Sequence, residues 1–300
     1  MIAANINYEF LDGVLDGSHE DVYYHFGMAS GDPMLEQLRD VKAVVMAGAG
    51  GRIKEFAQRW SELNGGSQIV AFPKEDRFVT RYTAGVLFAS HGMGMPSASI
   101  ALQELMRMVF FLKRGDLEAL DEVFWCRVGT SGGVGLPGGT VVVSTEGVMA
   151  DLKPYRLLHG GVGEYWFDGH FPVATCNAII AANDGVADFP VVSGRTVAGN
   201  EFFLEQFRLD GAIRLATPEN KMEWLRWVND NGVRNIEMEG AMLAGYLNFW
   251  GFPKFAMICC TLLNRLDGDQ VTATPDELHR FSQDSGVALF NYLAAELLGD

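Results

Sequence analysis

The chain has 300 residues, 48% of them hydrophobic, and carries a formal net charge of −15. That length and apolar content suit one large α/β domain or two small ones, and the acidic balance argues against non-specific binding of a nucleic-acid backbone, which needs clustered Lys and Arg. No Pro/Ser linker, charge block, internal repeat or low-complexity tract divides the chain, so residues 1–300 are expected to form a single domain.

The segment Met1–Tyr8 lacks the basic start and apolar core of a secretory leader, and no apolar stretch approaches membrane-spanning length. A soluble, cytoplasmic protein without a membrane partner is expected. Short β-rich runs predict strands near Val41–Ala47, Gln68–Phe72, Phe78–Tyr82, Gly85–Ser90, Val123–Val128, Thr140–Ser144, Asn235–Met238 and Phe255–Leu262. The longer amphipathic runs between them predict helices at Arg52–Leu63, Pro96–Leu112, Ala174–Ala182, Pro218–Asn231, Glu239–Phe249 and Pro275–Leu298. Pro96 suits a first helical turn, and Gly115 follows the last apolar position of that helix. Four cysteines do not make a disulfide framework; Cys259 and Cys260 lie in an apolar run and read as small strand hydrophobes. The six histidines show no ligand-like spacing, so no metal is expected. The architecture these elements imply is α/β, a mixed and strongly twisted sheet with helices on both faces. Three strands run into Gly-rich or polar loops, at Gly48, His91 and Gly129, and ligands of such sheets gather beyond strand carboxyl ends.

Five runs carry candidate chemistry. Gly48-Ala49-Gly50-Gly51-Arg52 offers free N–H groups, a helix dipole and a guanidinium to an anion, although a tight strand–helix turn with a surface arginine reads the same way. It has neither the Gly-Lys-Ser/Thr of a Walker loop nor the glycine spacing of a dinucleotide fingerprint. His91-Gly92-Met93-Gly94-Met95-Pro96-Ser97 either lets the backbone approach something small or holds a partly buried histidine. In Arg127-Val128-Gly129-Thr130-Ser131-Gly132-Gly133 a planar charged fork leaves a buried strand, followed by two hydroxyls and permissive glycines: an anion seat, or a plain turn. Gln206 and Arg208, at i and i+2 on extended chain, would present an amide and a fork of donors to one side, matching the carbonyl/imide edge of a pyrimidine; bland surface polarity is the alternative. Glu237-Met238-Glu239 places two carboxylates where a strand meets a helix. They could accept the vicinal hydroxyls of a ribose or stabilise the helix N-terminus.

Taken in order from about residue 20 to the C-terminus, these runs resemble the nucleoside phosphorylase superfamily, and within it the eukaryotic-type uridine phosphorylases. Asp21-Val22-Tyr23-Tyr24-His25-Phe26, Val233-Arg234-Asn235-Ile236-Glu237-Met238-Glu239 and Thr261-Leu262-Leu263-Asn264-Arg265-Leu266-Asp267-Gly268-Asp269-Gln270 extend the resemblance. It implies an α/β/α sandwich around a distorted barrel. It also implies phosphorolysis of a pyrimidine nucleoside (uridine, deoxyuridine or thymidine) to free base and pentose 1-phosphate, in pyrimidine salvage. By that resemblance Gly48, Arg52, Arg127 and Thr130 hold phosphate, and Arg77 reaches it from a neighbouring subunit. His25, also from the neighbour, meets the ribose 5′-hydroxyl, while Met238 and Glu239 hold the ribose hydroxyls with Glu237 nearby. Gln206 and Arg208 read the uracil edge and act with Arg127 in catalysis; Phe202 stacks on the base. A homodimer with shared active sites is implied, with inorganic phosphate as co-substrate and no cofactor. Asn264-Arg265 stands where purine-directed members carry an aspartate, which favours a pyrimidine.

One segment departs from the family pattern. Between Gly199-Asn200 and Phe202 the chain is several residues shorter, and the usual Glu-Gly-Gln-x-Arg reads Leu204-Glu205-Gln206-Phe207-Arg208. Glu205 in the glycine position is costly if that position needs φ > 0, and Phe207 is bulky enough to enter or reshape the base pocket. Preserved phosphate and ribose subsites with an altered base subsite are expected. The alternatives are a phosphorylase of changed base specificity and a degenerate, non-catalytic homologue that holds nucleoside or phosphate without reacting it.

Overall fold

The computed structural model describes residues 7–74 and 77–298. The chain divides into two compact units, residues 1–127 with 249–255, and residues 128–248 with 256–300.

In the first unit, α1 (Tyr8–Leu15), β1 (Val22–Tyr23) and β2 (Met28–Ala29) precede β3 (Ala43–Ala47), α2 (Gly50–Leu63), β4 (Val70–Ala71), β5 (Thr80–Thr83) and β6 (Val86–Ser90). Then come α3 (Gly94–Leu112), α4 (Leu117–Asp121) and β7 (Phe124–Gly133), which leaves this unit after Arg127. β3 runs parallel to both β6 and β7, and β5 and β4 continue antiparallel beyond β6. Every residue of β3 and β6 is buried, as the near-continuous apolar runs of covered parallel strands require. α2 lies against β3, β5 and β6 and buries Ile53, Phe56, Ala57 and Trp60, the i, i+3, i+4, i+7 stripe of an amphipathic helix. It begins at Gly50, two residues before the expected start, so Arg52 sits in its first turn. Likewise α3 begins at Gly94, and Pro96 falls in its first turn as expected.

The second unit receives the rest of β7 and adds β8 (Val141–Val148), β9 (Tyr155–His159), β10 (Gly163–Phe167), α5 (Val173–Asn183) and β11 (Val191–Ala198). It continues with α6 (Pro218–Asp230), β12 (Val233–Glu237), α7 (Gly240–Trp250), β13 (Phe255–Asn264) and α8 (Pro275–Leu297). Strands in the order β12-β11-β8-β13-β7 close into a five-stranded barrel, because β12 also pairs with β7 through Asn235↔Gly133 and Ile236↔Gly132. A buried chain of hydrogen bonds spans four of these strands: Ser144 to Thr196 at 2.6 Å, Thr196 Oγ1 to Asn235 Oδ1 at 2.7 Å, and Asn235 Nδ2 to Ser131 Oγ at 3.0 Å. Each member is satisfied, so the polar interior does not carry the penalty of unpaired buried groups. Helices flank the barrel: α5 and α8 pack on each other and on β8, and α6 packs on β12. Both α6 and α8 open with capping boxes, Thr217 with Asn220 and Thr274 with Glu277, followed by Pro218 and Pro275.

The fold is thus mixed α/β, as the alternation of elements implied, with two local corrections. β7 does not end in a loop at Gly129; it stays in the sheet through Gly133. Two of its glycines serve packing. A Cβ on residue 132 would lie 3.0 Å from Arg265 Cγ, and one on residue 133 would lie 2.6 Å from the Leu136 carbonyl oxygen. β11 and the β9–β10 hairpin were not anticipated, since Ser193, Gly194, Arg195 and Thr196 interrupt the apolar pattern of β11. Among the described residues, no helix is long and apolar enough to cross a membrane.

Candidate active site

In the first unit, strand register brings Gly48, Arg52 and Arg127, three of the residues expected at phosphate, onto adjoining segments. Ala47 pairs with Ser90 and Met46 with Arg127, so the carboxyl end of β3 lies between the carboxyl end of β6 and the middle of β7 at Arg127. Beyond the pairing, His91 N–H donates to the Ala47 carbonyl at 2.9 Å and Gly92 N–H to the Gly48 carbonyl at 3.1 Å. A Cβ on residue 48 would sit 2.9 Å from the Gly92 carbonyl oxygen, a backbone atom that cannot swing away, so this position requires glycine. His91 is fully buried, and Arg127 is only 6% exposed. Arg52 is half-buried in the first turn of α2, whose N-cap residue Ala49 has no side chain to satisfy the leading amides. Such amides, with the helix dipole behind them, favour an anion.

The same unit holds a cleft of about 670 Å³ that His25 and Arg77 line together, with Tyr24, Asp32 and Lys74. His25 is clasped by Glu104. Its Nδ1 lies 2.6 Å from Glu104 Oε1, and its backbone N–H donates to Oε2 at 3.0 Å.

In the second unit, Thr130 is half-buried on β7, facing away from Ser131, which is committed to the barrel interior. At the end of β12, Glu237 accepts the Glu239 N–H at 2.8 Å through Oε2 and the Gly240 N–H at 2.9 Å through Oε1. Its carboxylate therefore closes the first turn of α7 and shapes the bend that holds half-buried Met238 and buried Glu239. Gly199 N–H donates to the Glu237 carbonyl at 2.9 Å. Gln206 rests on that glycine: a Cβ on residue 199 would lie 3.1 Å from Gln206 Cγ, and Gln206 is 4% exposed. One backbone link thus joins the Glu237–Glu239 bend to Gln206.

The segment carrying Gln206 and Arg208 is a turn and not the expected extended chain. Phe207 N–H donates to the Leu204 carbonyl at 3.2 Å and Arg208 N–H to the Phe203 carbonyl at 2.8 Å. The left-handed residue is Phe207, with φ 52°, and not Glu205. Glu205 instead accepts the Asn200 N–H at 2.6 Å and draws the ends of the shortened segment together, while Glu201 accepts the amides of Phe203 and Leu204. Phe207 stacks on Trp224, ring centroids 4.9 Å apart at 15°, beside the cluster formed by Val134, Val148, Leu225 and Val228. That contact offsets the roughly 1–2 kcal/mol that a left-handed backbone costs an aromatic residue. Arg208 holds its guanidinium 4.6 Å over the half-exposed Phe202 ring, and its Nε and Nη2 donate to Asp210 at 2.9 and 2.5 Å.

Beneath this turn lies Asp269. Its Oδ1 accepts Arg265 Nε at 2.8 Å, its Oδ2 accepts Lys221 Nζ at 2.7 Å, and its carbonyl accepts Arg208 Nη2 at 3.4 Å. Arg265 Nη2 also donates to the Gln206 carbonyl at 2.7 Å. Burial pushes the Asp269 carboxyl up, but the Lys221 hydrogen bond and the Arg265 charge outweigh it and hold it below the usual carboxylate range. The pairing of Lys221 with Asp269 carries no local signal in the sequence, because they come from a helix and a loop that meet only in the fold. Asn264 accepts the Gly135 and Leu266 amides at 3.0 and 3.2 Å and donates to Asp267, closing its own turn. Among the described residues, no group of three His, Cys, Asp or Glu is placed to hold a metal ion.

Residues 42–298 match the family model of the phosphorylase superfamily. The chain is 35% identical to uridine phosphorylase A of Schistosoma mansoni over 91% of its own length and 92% of that protein. It is 33% identical, over the same shares, to inactive uridine phosphorylase B of the same organism. Among solved structures, uridine phosphorylase from Schistosoma mansoni in complex with 5-fluorouracil aligns with a TM-score of 0.87 at 33% identity, covering 98% of both chains.

Proposed function

Because the chain belongs to the phosphorylase superfamily, as a pentosyltransferase of the uridine phosphorylase type, we propose that it cleaves uridine with inorganic phosphate. Deoxyuridine and thymidine are further substrates in this reading. The products are free base and (deoxy)ribose 1-phosphate, formed in the cytoplasm as a step of pyrimidine salvage. No metal or organic cofactor is required; phosphate is the co-substrate.

The observation that supports this reading most is the backbone link through Gly199 between Gln206, a group suited to a pyrimidine edge, and the bend that carries Glu239, a carboxylate suited to ribose hydroxyls. Phosphorolysis needs an anionic nucleophile beneath the anomeric carbon, a fixed sugar, and a base made a better leaving group. Gly48, Arg52, Arg127 and Thr130 hold the phosphate, Met238 and Glu239 fix the ribose, and Phe202 stacks on the base. As the glycosidic bond breaks, positive charge grows on the sugar and negative charge on the pyrimidine. Gln206 and Arg208 donate where that negative charge appears. The held phosphate stabilises the oxocarbenium-like sugar and then captures it, so no covalent enzyme intermediate forms. The functional unit is a homodimer: His25 and Arg77, which share one cleft, reach the ribose 5′-hydroxyl and the phosphate of the other copy.

A non-catalytic nucleoside binder is the competing reading, favoured by the rebuilt 200–208 turn and by the comparable similarity to an inactive relative. A panel of nucleosides incubated with the protein, with and without phosphate, separates the two. Phosphate-dependent release of uracil is expected. Binding without release would make the protein a binder, and release independent of phosphate would make it a hydrolase.

A further inference from the structure

We propose that Glu104 is a positioning residue for the ribose 5′-hydroxyl, fixing the orientation and tautomer of His25 so that Nε2 presents a lone pair. The inference rests on the nucleoside-cleaving reading above and adds a residue that neither the motifs nor the family resemblance singled out. Glu104 lies on α3 with its side chain 9% exposed, and it holds His25 at two points: the ring Nδ1 at 2.6 Å and the backbone N–H at 3.0 Å. Both carboxylate oxygens are therefore spent on one residue, and the imidazole cannot turn over without losing a contact. A carboxylate only accepts, so the hydrogen sits on Nδ1 and Nε2 is left as an acceptor. A hydroxyl is the group such an atom takes.

The loop carrying His25 is tied to α3 a second time, one turn further on. Arg107 Nη1 lies 2.8 Å from Asp21 Oδ1, and Asp21 is 2% exposed. Glu104 and Arg107, at i and i+3, thus grip residues 21 and 25 from one face of the helix. Burial pushes the Asp21 carboxyl up and nearby Glu104 adds to this, against the pull of Arg107. His25 then enters the cleft it shares with Arg77 in a preset pose.

Glu104→Gln keeps the size of the side chain but sets an amide donor against one of the two donors of His25. Steady-state kinetics on uridine and on 5′-deoxyuridine, which lacks the hydroxyl, tests the idea. The variant should lose about ten-fold in kcat/KM on uridine, the worth of one hydrogen bond, and less than two-fold on 5′-deoxyuridine. In a His25→Ala background it should cost nothing further on uridine. Equal losses on both substrates, or no loss on uridine, would overturn the proposal. If the wild-type protein cleaves no nucleoside, the functional reading fails, and the fixing of the His25 tautomer by Glu104 is tested apart from it. The ¹⁵N spectrum of the His25 ring then decides: protonation on Nδ1 supports the clasp and protonation on Nε2 overturns it. The same spectrum decides if the variant does not fold.

Discussion

The bend at Glu237–Gly240 and the turn at Asn200–Arg208 adjoin through Gly199, yet they are held by different means. The bend sits where a barrel strand hands over to a helix. Its backbone is fixed by the β11–β12 ladder on one side and by helix amides capped by Glu237 on the other. The turn has no ladder. The carboxylates of Glu201 and Glu205, the Asp269 carbonyl, the Arg265 guanidinium and one aromatic stack hold it in place. A subsite built on regular backbone survives changes in its side chains, whereas one built from side-chain contacts is reshaped by each substitution. On that ground the proposed base segment, Asn200–Arg208, is expected to tolerate substitution less well than the bend at Glu237–Gly240.

The largest expected effect contrasts two arginines. Arg127, buried on β7 beside β3, is expected to be indispensable: Arg127→Ala should lower kcat/KM by about 10³-fold, the upper range for removing a preorganised charge-stabilising donor. Arg208, placed by the side-chain-built turn, should cost less. Arg208→Ala should lose about 10²-fold on uridine and leave the KM for phosphate within about two-fold. Equal losses in the two variants, measured by steady-state kinetics, would break the contrast between ladder-built and contact-built subsites.

Stability should show the same contrast at a smaller scale. Glu237→Ala strips the cap from α7 and should destabilise by about 1–2 kcal/mol, while loosening Glu239 enough to raise the KM for uridine. Phe207→Gly removes a stack and partial burial worth about 2–3 kcal/mol but releases about 1–2 kcal/mol of left-handed strain, for a net loss of about 1 kcal/mol. Urea unfolding measures both. A more stable Phe207→Gly would show that the Trp224 stack does not anchor the turn.

The regular parts were legible because their signals are local. The α2 stripe, Pro218 and Pro275 at helix starts, and the buried runs of β3 and β6 all appear within a few residues of sequence. Gly48 was legible as a glycine but not in its reason, since the carbonyl it must avoid belongs to Gly92 on the next strand's exit. The base segment was misread as extended because an i, i+2 pair looks alike in a strand and in a turn until its partners are known. Those partners, Trp224, Lys221 and Asp269, come from α6 and from the loop after β13. No window along the chain contains them together.

The gentlest test follows from Asp269, which joins those partners. Its carboxyl is held below the usual range because the Lys221 hydrogen bond and the Arg265 charge outweigh burial. A depressed folded-state pKa gives stabilisation that is complete above the unfolded value of about 3.9 and is lost as pH falls through the folded value. Wild type should therefore outlast Asp269→Asn in urea by a constant margin from pH 7 down to about 5, and the margin should shrink as pH drops below about 4. The shrinkage belongs to protonation of the carboxyl that Lys221 and Arg265 share. A margin that stays level down to pH 3.5 would mean that packing of the asparagine, and not charge, sets the difference. The turn over Asp269 would then be held by the Phe207–Trp224 stack and the neutral hydrogen bonds alone.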